Sequence, residues 1–353
     1  MSKILVSIVG AQTLPNILPI KEFGNTIDKY IFISTTKVKK ELEWIIRVCD
    51  LETSKINNIE VDEDDIGQIN EKLFDATSNL DTPGEFSVNL TGGTKIMALG
   101  TFQFFAGSSF NSKMFYLTMG SNILRQVYPS VDKSQRDTDL KYRLNVEEFM
   151  GAYGTAITNK QSIYTMCQSK DYTTKFFEKK WSKDEIMHEL RKEKYGVIFE
   201  RIDSTYKESI QNFLRKISFP VQSEDRLTRV EIQYLTGGWW EEFCFHFIKE
   251  RFGLREPFIA KGLINTKTNN ELDVVFVKEN VLHVLECKTT ILEKLQFEDY
   301  LYKLAAIKSN QDGFGNGVKA YLFTNLIKRD LKTNKIDDTI QKRADAFDVK
   351  LVD

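Results

Sequence analysis

Asn270-Glu-Leu-Asp-Val-Val-Phe-Val-Lys-Glu-Asn-Val-Leu-His-Val-Leu-Glu-Cys-Lys288 holds two apolar, β-branched runs, Glu271–Val277 and Val281–Cys287, around the short turn Lys278-Glu-Asn280. Such runs bounded by turn residues predict two strands of a hairpin. Side chains alternate across a strand, so Glu286 and Lys288 share a face and Cys287 points the other way, into the sheet. The hairpin brings Asp273, 13 residues earlier, beside Glu286. Two carboxylates and a lysine then converge on one sheet surface. A charged pair ending an otherwise apolar strand needs a partner or a metal ion.

The segments around the hairpin predict its domain. A helix is expected over Trp239–Arg251, starting near Gly237-Gly238, and another over Ile291–Ser309. Lys319–Phe323 reads as a strand, Thr339–Phe347 as a helix and Val349–Val352 as a last strand. The unit is expected to span 226–353, large enough for its own core. The helix at Gly237-Gly-Trp-Trp-Glu-Glu242 offers a further carboxylate. Neighbouring helix residues point about 100° apart, so Glu241 and Glu242 cannot serve one role equally. Glu241 is preferred and Glu242 stays open. Asp273 and Glu286 offer the hard oxygen ligands that Mg²⁺ or Mn²⁺ takes. Such an ion binds a phosphate oxygen and lowers the pKa of an attacking water, while Lys288 positions that water or stabilises developing charge. Lys303, in Tyr300-Leu-Tyr-Lys-Leu304, either faces this site and contacts a phosphate or is a solvated helix lysine.

Upstream, residues 1–140 alternate strand-like and helix-like segments. Ile4–Val9, Tyr30–Ser34, Phe86–Leu90 and Met114–Leu117 suit buried parallel strands; Lys39–Val48, Ile66–Ser78 and Ile96–Phe105 read as helices. This alternation predicts an α/β domain with a mainly parallel sheet. Residues 141–225, rich in Lys, Glu, Tyr and Phe, read as a helical connector, with helices at Trp181–Glu193 and Tyr206–Ile217 and solvated charge runs such as Arg191–Lys194.

Ligands of parallel sheets bind beyond the carboxyl ends of strands. Val9-Gly-Ala-Gln-Thr-Leu-Pro-Asn16 follows the first strand, Ser34-Thr-Thr36 the second, and Thr91-Gly-Gly-Thr-Lys95 the strand Phe86–Leu90. The candidate ligand residues are Gly10, Ala11, Gln12, Thr13, Ser34, Thr35, Thr91, Gly92, Gly93, Thr94 and Lys95. Backbone N–H groups at a helix start, hydroxyls and a cation suit a phosphate-bearing ligand. The loops hold neither the GxxxxGK[ST] nor the GxGxxG pattern. The plain alternative is that Gly92 and Gly93 make a tight turn.

Balanced charge (49 Lys+Arg, 50 Asp+Glu) excludes a basic nucleic-acid coat but permits a local groove. Four cysteines (Cys49, Cys167, Cys244, Cys287), none in a CxxC, argue against a zinc knuckle or disulfide scaffold, and three histidines against a His-rich zinc site. Met1–Gly10 lacks the apolar core of a signal peptide and no run is long enough for a membrane span, so a cytoplasmic location is expected.

Glu-Leu-Asp273, a short hairpin and Glu286-Cys-Lys288 resemble the core of the PD-(D/E)XK nucleases, with Leu272 in place of the proline. Asn89-Leu-Thr-Gly-Gly-Thr-Lys-Ile-Met97 resembles the CARF domain, the sensor of cyclic oligoadenylates in type III CRISPR systems. The pair resembles CARF-fused CRISPR ancillary nucleases over nearly the whole chain, the connector least. The resemblance implies a Rossmann-like CARF domain, a helical connector and a restriction-endonuclease-like domain. It further implies a homodimer binding one cyclic oligoadenylate, for which the two-fold symmetry of cyclic tetra-adenylate suits a two-fold dimer, and allosteric activation of Mn²⁺- or Mg²⁺-dependent endonuclease cutting of DNA or RNA, single-stranded or duplex, in antiviral defence. It suggests the backbone carbonyl of Cys287 as a third metal ligand. Alternatives are a ligand-responsive regulator that binds nucleic acid without cutting, an enzyme that degrades its own cyclic nucleotide, and a non-enzymatic scaffold.

Overall fold

The computed structural model describes residues 2–78, 84–118, 120–159, 168–193, 195–266, 270–289, 294–308, 314, 317–324 and 336–352. Cys167, Lys194, the first residues of the helix expected over Ile291–Ser309 and its final Ser309 lie outside them. The chain packs into two units: Met1–Ala156 with Val277–Val281, and Ile157–Phe276 with Leu282–Asp353. Residues 141–225 are therefore divided between the units at Ala156.

The first unit runs β1 (Ser2–Ile8), α1 (Leu14–Phe23), β2 (Lys29–Ser34), α2 (Lys39–Cys49), β3 (Ile56–Glu60), α3 (Ile66–Ser78), β4 (Gly84–Asn89), α4 (Lys95–Gly107), β5 (Asn111–Leu117), β6 (Ile123–Tyr128), α5 (Lys133–Arg136), β7 (Asp137–Asp139) and α6 (Val146–Ala152). The sheet order is β3-β2-β1-β4-β5-β6-β7. The first five strands are parallel and the last two pair antiparallel. Ile4, Leu5, Val6 and Ile8 of β1 are all buried, as both faces of a central parallel strand must be. The chain runs from β1 outward to β2 and β3, then crosses to β4 on the other side. The sheet's switch point thus falls between the carboxyl ends of β1 and β4, the position whose crevice is the general ligand site of open α/β sheets.

A proline fixes one join at that crevice. Pro19 inside α1 has no N–H to give the carbonyl four residues back. That carbonyl, on Pro15, accepts instead from Asn89 Nδ2 at 2.8 Å. Asn89, at the end of β4, also donates to Ser7 Oγ at 3.0 Å. The same hydroxyl accepts from Asn16 Nδ2 at 3.0 Å. One buried polar knot therefore ties β1, α1 and β4 together.

The second unit runs β8 (Ile157–Asn159), α7 (Lys170–Glu178), α8 (Glu185–Leu190), β9 (Gly196–Ile198), α9 (Ser204–Lys216), β10 (Arg226–Thr228), α10 (Arg229–Gln233), α11 (Trp239–Arg251), β11 (Ile259–Asn265), β12 (Asn270–Lys278), β13 (Val281–Lys288), α12 (Lys294–Lys308), β14 (Val318–Thr324), α13 (Asp338–Ala346) and β15 (Val349–Val352). Its main sheet has the order β15-β14-β13-β12-β11-β8. β13, β14 and β15 are parallel, and β12, β11 and β8 pair antiparallel. Leu285 and Cys287 of β13 and Val274 and Phe276 of β12 pack in one core with Trp239, Cys244 and Ile248 of α11. Asp273, Glu286 and Lys288 alternate with these residues and so belong to the opposite face.

Two expected helices differ. Trp181–Glu193 is not continuous: Asp184 takes an extended conformation and its carboxylate caps Ile186 N–H, so α8 begins afresh after a 3₁₀ turn. The helix expected near Gly237 starts earlier, at α10, where Thr228 and Glu231 form a reciprocal capping box. Gly237 and Gly238 lie inside a π-helical turn, Tyr234–Gly238, that feeds α11.

β12 and β13 are joined through Glu279 and Asn280, with φ of 52° and 59°. Positive φ at both positions matches the right-handed twist of a hairpin, and Asn tolerates it. This turn belongs to the first unit. Asn280 Oδ1 accepts from Leu144 N at 2.8 Å, and its Nδ2 donates to Asn122 Oδ1 at 2.8 Å and Tyr142 O at 3.0 Å. Glu279 pairs with Arg143 at 2.6 Å.

Candidate functional site

The hairpin places Asp273, Glu286 and Lys288 together. Lys288 Nζ lies 3.0 Å from Asp273 Oδ2 and 2.7 Å from Glu286 Oε1. Asp273 Oδ2 also accepts from the Cys287 backbone N–H at 2.7 Å. This locks the carboxylate onto the neighbouring strand. It is the amide of Cys287, the residue suggested for its carbonyl, that touches an acidic group. The Asp273 and Glu286 side chains are only 6% and 4% exposed, so their charges depend on these partners. Burial alone would lower the pKa of Lys288, but Asp273 and Glu286 outweigh it and hold it above the usual lysine range. Held so, Lys288 is a cation that donates to both carboxylates. The ring of Tyr300 on α12 lies 5.2 Å from its ammonium.

The adjacent glutamates of α11 part company. Glu241 feels the site: its carboxyl is pushed up to about 8, first by burial and then by the charge of Asp273, with Lys288 opposing and Glu271 and Glu286 adding. Glu242 turns away. Its Oε1 pairs with Lys261 at 2.7 Å, and its Oε2 accepts from Tyr234 Oη at 3.0 Å and Gln168 N at 2.9 Å. It is a structural anchor, not a member of the Lys288 cluster. Lys303 of α12 does face the cluster, 2.5 Å from Glu286 Oε2. Tyr300, Lys261 and Glu271 went unnoticed in the sequence. The period of α12, which sets Tyr300 three residues before Lys303 on one helix face, was the available signal for the first.

Among the described residues, no group of three or more His, Cys, Asp or Glu forms a metal cluster. The donor chemistry nevertheless fits a hard divalent ion. Two carboxylates converge on one ammonium, a third carboxyl is raised by their charge, and Mg²⁺-type ions commonly take only one or two carboxylates, with water and phosphate completing the shell.

In the first unit, the loops after β1 and β4 abut at the switch point. A Cβ on Gly92 would lie 2.0 Å from Ile8 O, and one on Gly10 2.7 Å from Gly93 N. Only glycine permits this approach. Several candidate hydroxyls have internal duties. Thr91 Oγ1 donates to Asn89 Oδ1 at 2.7 Å and accepts from Leu117 N at 2.8 Å. Thr13 Oγ1 donates to Ala152 O at 2.5 Å, and Ser34 Oγ to Asn58 Oδ1 at 2.8 Å. Thr94 caps α4 by accepting from Met97 N at 3.1 Å and donates to Glu63 O at 3.0 Å. Thr35 is buried at the end of β2. Ala11, Gln12, Gly93 and Lys95 are exposed, and Gly10 and Gly92 half-buried. These six are the exposed or half-buried members of the loops, while Thr13, Thr91, Thr94 and Ser34 are taken up by internal hydrogen bonds.

Residues 4–149 match the family model of the Card1 CARF domain, and residues 228–350 that of the Card1-like endonuclease domain. Both the crevice and the Lys288 cluster fall within matched segments. No curated protein matches the sequence. Among solved structures, the chain is similar to Can2 from Sulfobacillus thermosulfidooxidans in complex with cyclic tetra-adenylate (TM-score 0.72, 20% identity, covering 99% of this chain and 95% of that one). It is also similar to protein VC1899 from Vibrio cholerae (TM-score 0.75, 17% identity, covering 99% and 93%). At these identities the likeness is one of fold. No helix among the described residues is long and apolar enough to cross a membrane.

Proposed function

We propose that this chain, which joins a Card1-type CARF domain to a Card1-like endonuclease domain, is a nuclease of type III CRISPR defence switched on by a cyclic oligoadenylate. The observation that carries the reading is the Asp273–Lys288–Glu286 cluster at one end of the endonuclease hairpin. Asp273 and Glu286, with Glu241 beside them, would hold Mn²⁺ or Mg²⁺. Such an ion, when bound, makes a coordinated water more acidic and offsets phosphate charge. Lys288, a fixed cation, donates to the water or to a phosphate oxygen as negative charge builds at the phosphorus. Water displaces one ester oxygen of the phosphodiester. Asp273 holds Lys288 in place and, through the Cys287 amide, keeps the two strands in register.

The activator is proposed to bind over Gly10–Gln12 and Gly92–Lys95, where partly exposed backbone and the exposed Lys95 lie on the loops that meet at the switch point. Cyclic tetra-adenylate, the ligand of Can2, is the first candidate, and its two-fold symmetry suits a homodimer. Activation requires that it bind the cutting arrangement more tightly than the resting one.

The test is cleavage of labelled single-stranded RNA, single-stranded DNA and supercoiled plasmid with Mn²⁺, with and without cyclic tetra-adenylate, beside Glu286→Ala. Cutting that depends on ligand, metal and Glu286 is expected. Ligand binding with no cutting of any substrate would replace this reading with that of a sensor that regulates without hydrolysis.

A further inference from the structure

Glu286 is held by a lysine at each of its two oxygens. Its Oε1 is held by Lys288 at 2.7 Å and its Oε2 by Lys303 at 2.5 Å. The two lysines come from different elements. Lys288 is fixed on β13 next to its partner, whereas Lys303 reaches in from α12, with Leu301 and Leu304 of that helix buried. Their surroundings differ as well. Lys288 answers to two carboxylates and the Tyr300 ring. Among the described residues Lys303 pairs with Glu286 alone; the two lysine side chains are about equally exposed, 25% and 23%.

A carboxylate oxygen held by an ammonium is not free to ligate a cation. The interaction that must be surrendered at Oε2 is the cheaper of the two to break, because Lys303 has one carboxylate partner where Lys288 has two. Lys288 cannot leave without unpairing Asp273. Lys303 can swing toward solvent, and a phosphate entering the site offers its ammonium a new acceptor.

We propose that Lys303 is a positioning residue that competes with the divalent ion for Glu286 Oε2 and, once displaced, contacts a non-bridging phosphate oxygen of the nucleic acid. The proposal rests on the metal-dependent reading above. It separates two effects of one side chain. Before substrate arrives, Lys303 weakens metal binding; with substrate present, it strengthens substrate binding. Metal and substrate therefore favour one another, because each gives a charged partner to what the other releases.

The experiment titrates the full-length protein with Mn²⁺, following free Mn²⁺ by electron paramagnetic resonance, and measures cleavage in parallel. Lys303→Gln is expected to bind Mn²⁺ about two- to fivefold more tightly than wild type, the range a partly exposed ion pair supplies. Its KM for the oligonucleotide should rise with little change in kcat, as for loss of a contact made equally in ground and transition states. Lys303→Arg, which keeps the charge, should restore both values toward wild type. A purely structural role for Lys303 predicts no gain in Mn²⁺ affinity. Unchanged or weaker Mn²⁺ binding by Lys303→Gln, or an Arg variant that behaves like Gln, would overturn the proposal. Glu286→Gln separates its failure from that of the underlying reading: if that variant binds Mn²⁺ as wild type does, the metal site itself is misplaced.

Discussion

Exchanging the two neighbouring glutamates of α11 one at a time should separate stability from cutting. The Glu242 carboxylate, 4% exposed, serves Lys261, Tyr234 Oη and the Gln168 amide. Glu242→Ala strands all three. Removing one partner of a fully buried ion pair costs about 3–5 kcal/mol. Lys261 is 23% exposed and can turn to water, which reduces the cost to about 2–4 kcal/mol. For a unit of this size that is a fall of roughly 5–15 °C in melting temperature. Molecules still folded at low temperature should cut normally. Glu241→Gln should do the reverse. It exchanges a carboxyl whose charge burial and Asp273 already oppose for a neutral group of the same shape, so melting should not fall. Cleavage should drop roughly 100-fold or more, the scale of losing one well-placed polar group at a reacting centre. Differential scanning fluorimetry and single-turnover cleavage read the two effects separately. A stable but inactive Glu242→Ala protein beside a fully active Glu241→Gln protein would refute the assignment.

Lys288→Ala should abolish cutting yet leave cyclic tetra-adenylate affinity within about twofold of wild type, because its partners among the described residues lie in the hairpin and α12; equilibrium binding and cleavage assays check this. Gly92→Ala drives a Cβ against Ile8 O, so ligand affinity should fall at least tenfold, with lowered stability of the first unit in a melting scan. Lys95→Ala should weaken ligand binding without lowering the melting temperature, since that side chain is exposed; the two measurements together test it. Glu241 titrates near 8 in the folded chain against 4.5 for an ordinary glutamate, so between these values the native state keeps a proton that the unfolded chain has lost. Stability should therefore decline as pH rises from about 5 to 8, and Glu241→Gln should flatten the decline in urea titrations at several pH values.

The legible parts of the sequence were those where one physical demand overrode all others. β1, β12 and β13 are buried on both faces along most of their length, and their largely apolar runs say so. The alternation Glu286-Cys-Lys288 sorts side chains to faces before any partner is known, and Asp273 follows from the hairpin. β3 was not visible because Ile-Asn-Asn-Ile-Glu60 buries only Ile59, as a sheet edge allows. α1 was hidden by Pro15 and Pro19, which read as loop until Asn89 supplies the missing donor. The choice between Glu241 and Glu242 depended on Lys261, 19 residues away on another element. No local pattern encodes that pairing. Nor could the sequence tell which hydroxyls of the crevice loops point inward: Thr13, Thr91 and Ser34 look like ligand groups until their internal acceptors are in view.

The Glu279–Asn280 turn has a consequence for taking the protein apart. The polypeptide passes between its two units at Ala156/Ile157, Phe276/Val277 and Val281/Leu282. Neither unit is one uninterrupted stretch of sequence. A fragment begun at Ile157 would carry the turn but lack Leu144, Asn122 and Tyr142, the partners Asn280 finds within the first unit. Recombination among such proteins must therefore keep the turn together with the first-unit residues that bind it, or rebuild them.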